Sequence, residues 1–186
     1  TPLYSSAASD VYKRQDINNV ADASAVQEWK QFRYDLITNM VGRLAKVVRE
    51  KEKVINAAVF PGPTIAKAKV RQEWNTWDLD AVFPMNYNDF YLKGPEWIGE
   101  VVKEEVASVN GLKPIYSGLF ICPNPQNKSK ENDPENHGLL PSEIETAIRA
   151  SMENGATGIC LFTPERMKPE HWDAFEKAIY TDYTKK

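Results

Sequence analysis

At 186 residues the chain has the length of one ordinary domain, and its 42% hydrophobic and 11% aromatic content fits a globular fold and not a disordered one. Its 23 basic and 26 acidic residues leave a formal net charge of -3, without the basic excess of a nucleic-acid binder. No apolar run is long enough to span a bilayer, and the two cysteines, Cys122 and Cys160, fit neither a disulfide framework nor a zinc site.

The opening stretch TPLYSSAASDVYKRQ has neither helical nor strand period. It is similar to a stretch that recurs when adapter DNA is read as coding sequence. Residues 1–15 are therefore expected to be a non-native or disordered leader, and residues 16–186 the folded domain. Ser24 and Gln27 form a capping-box pattern. Val26, Trp29, Phe32, Leu36, Met40, Leu44 and Val47 or Val48 then keep helical spacing to about Glu52, which predicts a helix buried along that stripe. VINAAVF, Val54 to Phe60, closed by Pro61-Gly62-Pro63, reads as a parallel strand covered on both faces. Thr64 can cap an expected helix carrying Ile65, Ala68 and Trp74. DAVFPMNY is the second strand, and Trp97, Ile98, Val101, Val102, Val106 and Val109 mark a helix stopped by Asn110-Gly111. PIYSGLFIC, Pro114 to Cys122, is the third strand. After a polar loop, Ser142 and Glu145 suggest a capping box for a helix over residues 143–154. TGICLFT, Thr157 to Thr163, is the fourth strand, and Pro169 opens a last helix with Trp172, Phe175 and Ile179.

A helix followed by four strand–helix units predicts an α/β chain with a parallel sheet and right-handed crossovers. A doubly wound sheet and part of a barrel both fit. No strand is followed by a glycine-rich phosphate loop, since GPTIAKAK lacks the second glycine and the Lys-Ser/Thr ending. Polar residues sit instead at strand C-terminal ends, where barrel enzymes place their sites. The reading is the C-terminal half of a (β/α)8 TIM barrel, with four parallel strands in sequential order. With the strand ends level, Cys160 should lie beside Leu119 and Cys122 beside Thr163, about 10 Å from one another, too far for a disulfide.

VRQEWNTWDLDAVFPMNY resembles a motif of the glycosyl hydrolases described as the glycoside hydrolase family 10-like group. There an Arg-Gln-acid-Trp helix end leads into a strand ending Pro-Met-x-Tyr. EWKQFRYDLITNMVGRLAKVVRE followed by VINAAVFP matches the same arrangement, and the likeness runs from about Glu28 to Ile179. It implies a TIM barrel, a carbohydrate substrate and a parent that is often secreted or envelope-associated; no cofactor is expected. Arg71, Gln72, Trp74, Met85, Asn86 and Tyr87 are the motif positions. PMNYND also resembles the Met-x-Tyr-Asp strand end of chitinase-like glycosidases, but Asn88 stands where that aspartate falls and Asp89 comes one residue later.

Glycoside hydrolysis ordinarily needs two carboxyl groups flanking the bond. The third strand, PIYSGLFICP, contains no acid. Asp89, just past the second strand, and Glu165, just past the fourth, are the catalytic candidates; each is equally at home capping a turn or charging a helix start. Tyr87, Asn86, Asn88, Trp97 and His137 are the substrate-binding candidates. Tyr87 and Trp97 offer amphipathic rings to a sugar but also suit core packing, and His137 sits in the long loop PNPQNKSKENDPENHGLLP. Alternation along a regular strand would send Tyr87 and Asp89 to the cleft, and Asn86 and Asn88 to the wall. Three functions remain open: a piece of a glycoside hydrolase inactive on its own, a non-catalytic carbohydrate-binding barrel, or an unrelated α/β small-molecule binder. The carbohydrate is the expected partner, with no nucleic acid, metal or membrane. Half a barrel should also self-associate through its exposed strand edges.

Overall fold

The computed structural model describes residues 27–121 and 138–181. Its elements are α1 (Gln27–Arg49), β1 (Asn56–Val59), α2 (Pro63–Val70), β2 (Ala81–Pro84), α3 (Trp97–Val109), β3 (Tyr116–Phe120), α4 (Pro141–Glu153), β4 (Gly158–Phe162) and α5 (Pro169–Ile179). Short 3-10 turns follow α2 (Trp74–Thr76), β2 (Asn88–Tyr91) and β4 (Pro164–Arg166).

The four strands are parallel and in sequence order, as the βα alternation requires. β1 pairs with β2 from Asn56↔Ala81 to Val59↔Pro84, and β3 with β4 from Tyr116↔Gly158 to Phe120↔Phe162. Between β2 and β3 only two parallel bridges form, Val82↔Ile115 and Met85↔Gly118. Gly118 explains how close this seam runs: a Cβ there would lie 2.5 Å from the Pro84 carbonyl oxygen, so any side chain would push β2 and β3 apart. The register sets Cys160 opposite Gly118, one residue from the expected Leu119. Cys160 is a free thiol whose pKa burial raises, and Cys122 lies outside the described residues.

One face of the sheet is covered by helices, and the core lies between. Ile98 and Val102 of α3, Leu119 and Ile121, Ile144, Ala147 and Ile148 of α4, and Ala178 of α5 form one cluster. Val59, Ala66, Trp74, Trp77, Leu79, Val82, Val109 and Ile115 form the other. The alternate strand positions, including Phe83, Tyr116, Phe120, Cys160 and Phe162, face the opposite, concave side.

α1 departs from its expected stripe. Tyr34 and Ala45 are buried, and Ile37 and Val41 pack on the second cluster, whereas Leu36, Met40, Leu44 and Val47 are exposed. A helix of mixed apolar composition offers two stripes, and only contact with the sheet selects one. Arg49 fixes this face at its C-terminal end by pairing with Asp78 at 3.1 Å and Asp80 at 3.3 Å. Ser24 of the expected Ser24–Gln27 capping box lies outside the described residues, and Gln27 is the first residue of α1. α4 starts at Pro141, two residues before the expected boundary. Glu143 supplies the cap there by accepting the Leu140 backbone N–H at 2.8 Å.

Candidate functional site

The motif RQEW ends α2 and fastens the last turn of β1. Arg71 takes a left-handed conformation (φ 63°) as the C-cap of α2 and donates to the Ala68 carbonyl. Gln72 Oε1 accepts the Phe60 backbone N–H at 2.9 Å, and Trp74 Nε1 donates to the Phe60 carbonyl at 3.1 Å. Phe60 lies just past β1, where no strand pairs its backbone, so two side chains satisfy both groups. Glu73 pairs with Lys67, and Lys113 donates to the carbonyl of Trp77, closing the turn beneath. Trp74 is completely buried while Arg71, Gln72 and Glu73 are partly exposed, so the motif's indole packs in the core and braces Phe60, in one wall of the site, from beneath.

The opposite wall comes from the end of β2. Here strand geometry stops early. The Asn86 N–H bonds back to Pro84 O at 3.0 Å and the Tyr87 N–H to Met85 O at 2.7 Å, two successive tight turns before the 3-10 turn over Asn88–Tyr91. Period-two alternation therefore ends before Asp89, and Tyr87 and Asp89 do not travel as a pair. Asn86 is fully buried on the helix side, donating Nδ2 to Glu105 Oε2 and to Ser117 Oγ, both at 3.1 Å. Asn88 is buried and donates to the Lys93 carbonyl at 2.9 Å and to Asp89 Oδ1 at 3.4 Å, which closes the turn. Asp89 is buried within that turn.

Tyr87 turns the other way, into a ring cluster on the concave side. Its centroid is 5.4 Å from Phe162, 5.7 Å from Phe120 and 5.9 Å from Phe90. Burial, with the Cys160 thiol adding, pushes its phenol pKa up to about 12, so the hydroxyl stays neutral and able to donate. Tyr91 stacks on Trp97 at 5.0 Å, and burial raises its phenol pKa too. Trp97 is half-buried in the first turn of α3, packed against the apolar core.

Phe60, Pro61, Lys69, Met85, Tyr87, Phe90 and Tyr91 line a groove of about 300 Å³ at the C-terminal ends of β1 and β2. Among the described residues four aromatic rings and one cation line it, and no carboxylate does. Such a surface can stack on the apolar face of a sugar ring while the phenols and the ammonium reach its hydroxyls. Of the candidates read from sequence, the structure brings only Tyr87 into this groove, with Trp97 behind Tyr91. Glu165 is exposed on the turn after β4, 4.0 Å from Arg166, and His137 lies outside the described residues. Phe60, Lys69, Phe90 and Tyr91 escaped the sequence reading. For Phe90 and Tyr91 the signal was the aromatic pair directly following PMNYND; Phe60 and Lys69 carried none.

No protein-family model and no curated protein matches the chain. Among solved structures it is similar to a chitinase from Chromobacterium violaceum ATCC 12472, at 10% identity and a TM-score of 0.62, over 82% of this chain and 63% of that one. It is also similar to a class V chitinase from Pseudomonas fluorescens Pf-5, at 13% identity and a TM-score of 0.57, over 81% of this chain and 64% of that one. The chain has an α/β fold of parallel strands and helices similar to part of these TIM-barrel chitinases. Four sequential parallel strands and coverage of less than two thirds of either chitinase agree with a half barrel. At these identities the likeness carries the fold alone, and it does not single out the family 10-like group. No helix among the described residues is long and apolar enough to cross a membrane.

Proposed function

We propose that this chain is the sugar-binding portion of a glycoside hydrolase barrel, with the groove at the ends of β1 and β2 as one wall of its cleft. The observation that carries this reading is the four-ring lining of Phe60, Tyr87, Phe90 and Tyr91 beside Lys69, set where barrel folds place their sites. The substrate is an oligosaccharide or polysaccharide. Its parent belongs to the family 10-like group, for which the RQEW and PMNY segments are the support. On this reading residues 16–186 are a partial barrel.

The chain on its own binds and does not hydrolyse. Asp89 and Glu165 are the acids nearest the ends of β2 and β4, yet neither lines the groove, and hydrolysis needs a carboxylate pair across the bond. The same lack of a groove carboxylate favours, as a second reading, a barrel that binds carbohydrate without cleaving it. Open edges at β1 and β4, with Leu36, Met40 and Leu44 exposed on α1, support self-association of the chain.

Calorimetric titration with chitohexaose and cellohexaose tests the binding. Phe90 is 56% exposed, so Phe90→Ala should leave the fold intact and weaken binding about five- to tenfold, the worth of one stacked ring. Unchanged affinity in Phe90→Ala and in Tyr87→Ala would refute the groove as the sugar site. Turnover of either glycan that vanishes in Asp89→Ala would overturn the binding-only reading.

A further inference from the structure

Glu105 is fully buried inside α3, on the face turned toward the sheet, where a helix ordinarily presents aliphatic side chains. Its two oxygens reach two different elements. Oε1 accepts the Gly62 backbone N–H at 2.9 Å, and Oε2 accepts Asn86 Nδ2 at 3.1 Å. The network continues from Asn86 to Ser117 Oγ at 3.1 Å and to Ser151 Oγ, 2.9 Å further on, which bonds the Ala147 carbonyl at 2.9 Å. Gly62 follows Phe60 and Pro61 in the chain, and Asn86 sits between Met85 and Tyr87. Four of the seven groove residues are thus near neighbours in sequence of the two groups that one carboxyl holds. Gly62 is fitted to this contact: at φ 55° it is left-handed, and a Cβ would stand 3.0 Å from Glu104 Oε2.

We propose that Glu105 is the positioning residue of the aromatic groove, holding the β1–α2 turn and the end of β2 in fixed register through its single carboxyl group. The role rests on the groove being the binding site proposed above, but its signature is readable without any sugar.

That signature is proton-linked. Both oxygens face N–H donors, an arrangement suited to a carboxylate, while burial favours the neutral acid. Desolvation is the largest influence, the bonds from Gly62 and Asn86 oppose it, and Glu104 adds repulsion; together they raise the pKa from 4.5 to about 7. Glu104 is the charged group acting on it, itself accepting the Thr64 N–H at 2.9 Å. The groups facing Glu105 from the β1–α2 turn and β2 are Gly62 and Asn86, and beyond them stand Ser117 of β3 and Ser151 of α4, all uncharged. Asn86 Oδ1 is buried with no hydrogen-bond partner among the described residues. A half-turn of that amide would bring Oδ1 to a protonated Glu105 and give the acid proton an acceptor. Uptake of one proton from solvent is thereby coupled to the rotation of Asn86, next to Tyr87.

The test is a two-dimensional NMR pH titration of the 186-residue chain, following the Gly62 amide, the Asn86 side-chain NH2 and the Tyr87 ring protons. All three should move with one shared midpoint near pH 7, still share one midpoint, moved down, in Glu104→Gln, and lose it in Glu105→Gln. A static Tyr87 ring while Gly62 and Asn86 titrate would reduce Glu105 to a structural group and overturn the proposal. So would three unrelated midpoints, or a titration that survives in Glu105→Gln. Should Glu105→Gln fail to fold, the shared midpoint of the three reporters in the native chain and in Glu104→Gln decides alone.

Discussion

Replacing Glu105 by glutamine should stabilise the protein at high pH and do little at low pH. The folded-state pKa is raised from 4.5 to about 7, chiefly because burial penalises the charged form. Between those values the folded chain holds a proton that the unfolded chain has released, so stability falls as pH rises through that window. Below pH 4.5 both states are protonated and nothing is lost; above pH 7 the whole penalty is present. Raising the pKa from 4.5 to about 7, at about 1.4 kcal/mol per tenfold in proton affinity, gives about 3 kcal/mol. Glutamine is neutral at every pH. Its carbonyl can still accept the Gly62 N–H while its NH2 meets Asn86 Oδ1, the buried atom now without a partner. Urea unfolding followed by circular dichroism at pH 5 and pH 8 should therefore show Glu105→Gln close to native at pH 5. At pH 8 its midpoint should rise by on the order of 1 M for a domain of this size. His171, whose pKa burial lowers, titrates in native and variant chains alike and cancels in the comparison. Equal midpoint differences at both pH values, or a loss that grows with pH, would refute the reasoning.

Gly118→Ala should cost about 1–3 kcal/mol, because its Cβ would meet the Pro84 carbonyl at 2.5 Å and force the thinly bridged β2–β3 seam open; a native-like urea midpoint would count against the seam. Trp74→Phe keeps an aromatic ring in the second core cluster but strips the Phe60 carbonyl of its donor, a loss of about 1–3 kcal/mol in thermal or urea unfolding. If the indole serves packing alone, Trp74→Phe and Trp74→Leu will differ only by ring volume. Met40→Glu with Leu44→Lys should shift sedimentation velocity profiles of the chain toward monomer with no change in secondary structure, since both side chains are more than half exposed; unaltered association would move the contact to the strand edges.

The order and direction of the elements were legible in the sequence because each carries its own local cause. An apolar run closed by Pro61-Gly62-Pro63, a helical period stopped by Asn110-Gly111, and the same alternation repeated along the chain permit little except a parallel sheet with crossovers. The RQEW motif was visible as a pattern, but its purpose was not: Gln72 and Trp74 serve the backbone of Phe60, a pairing across more than ten residues that no local rule encodes. α1 shows the same divide. Periodicity alone pointed to Leu36, Met40 and Leu44, while contact with the sheet chose Tyr34, Ile37, Val41 and Ala45. At the end of β2 the sequence suggested a strand alternating through Asp89, yet two tight turns after Met85 sent Asn86 to the helices and Tyr87 to the rings. Glu105 was silent in sequence, one acid among several on an amphipathic helix. Its burial, its two partners and its raised pKa exist only because α3 crosses the ends of β1 and β2 at that point. Patterns of period and punctuation act over a few residues and fix what each segment becomes. Which side chain finds which partner depends on distances between segments, and only the folded sheet sets those.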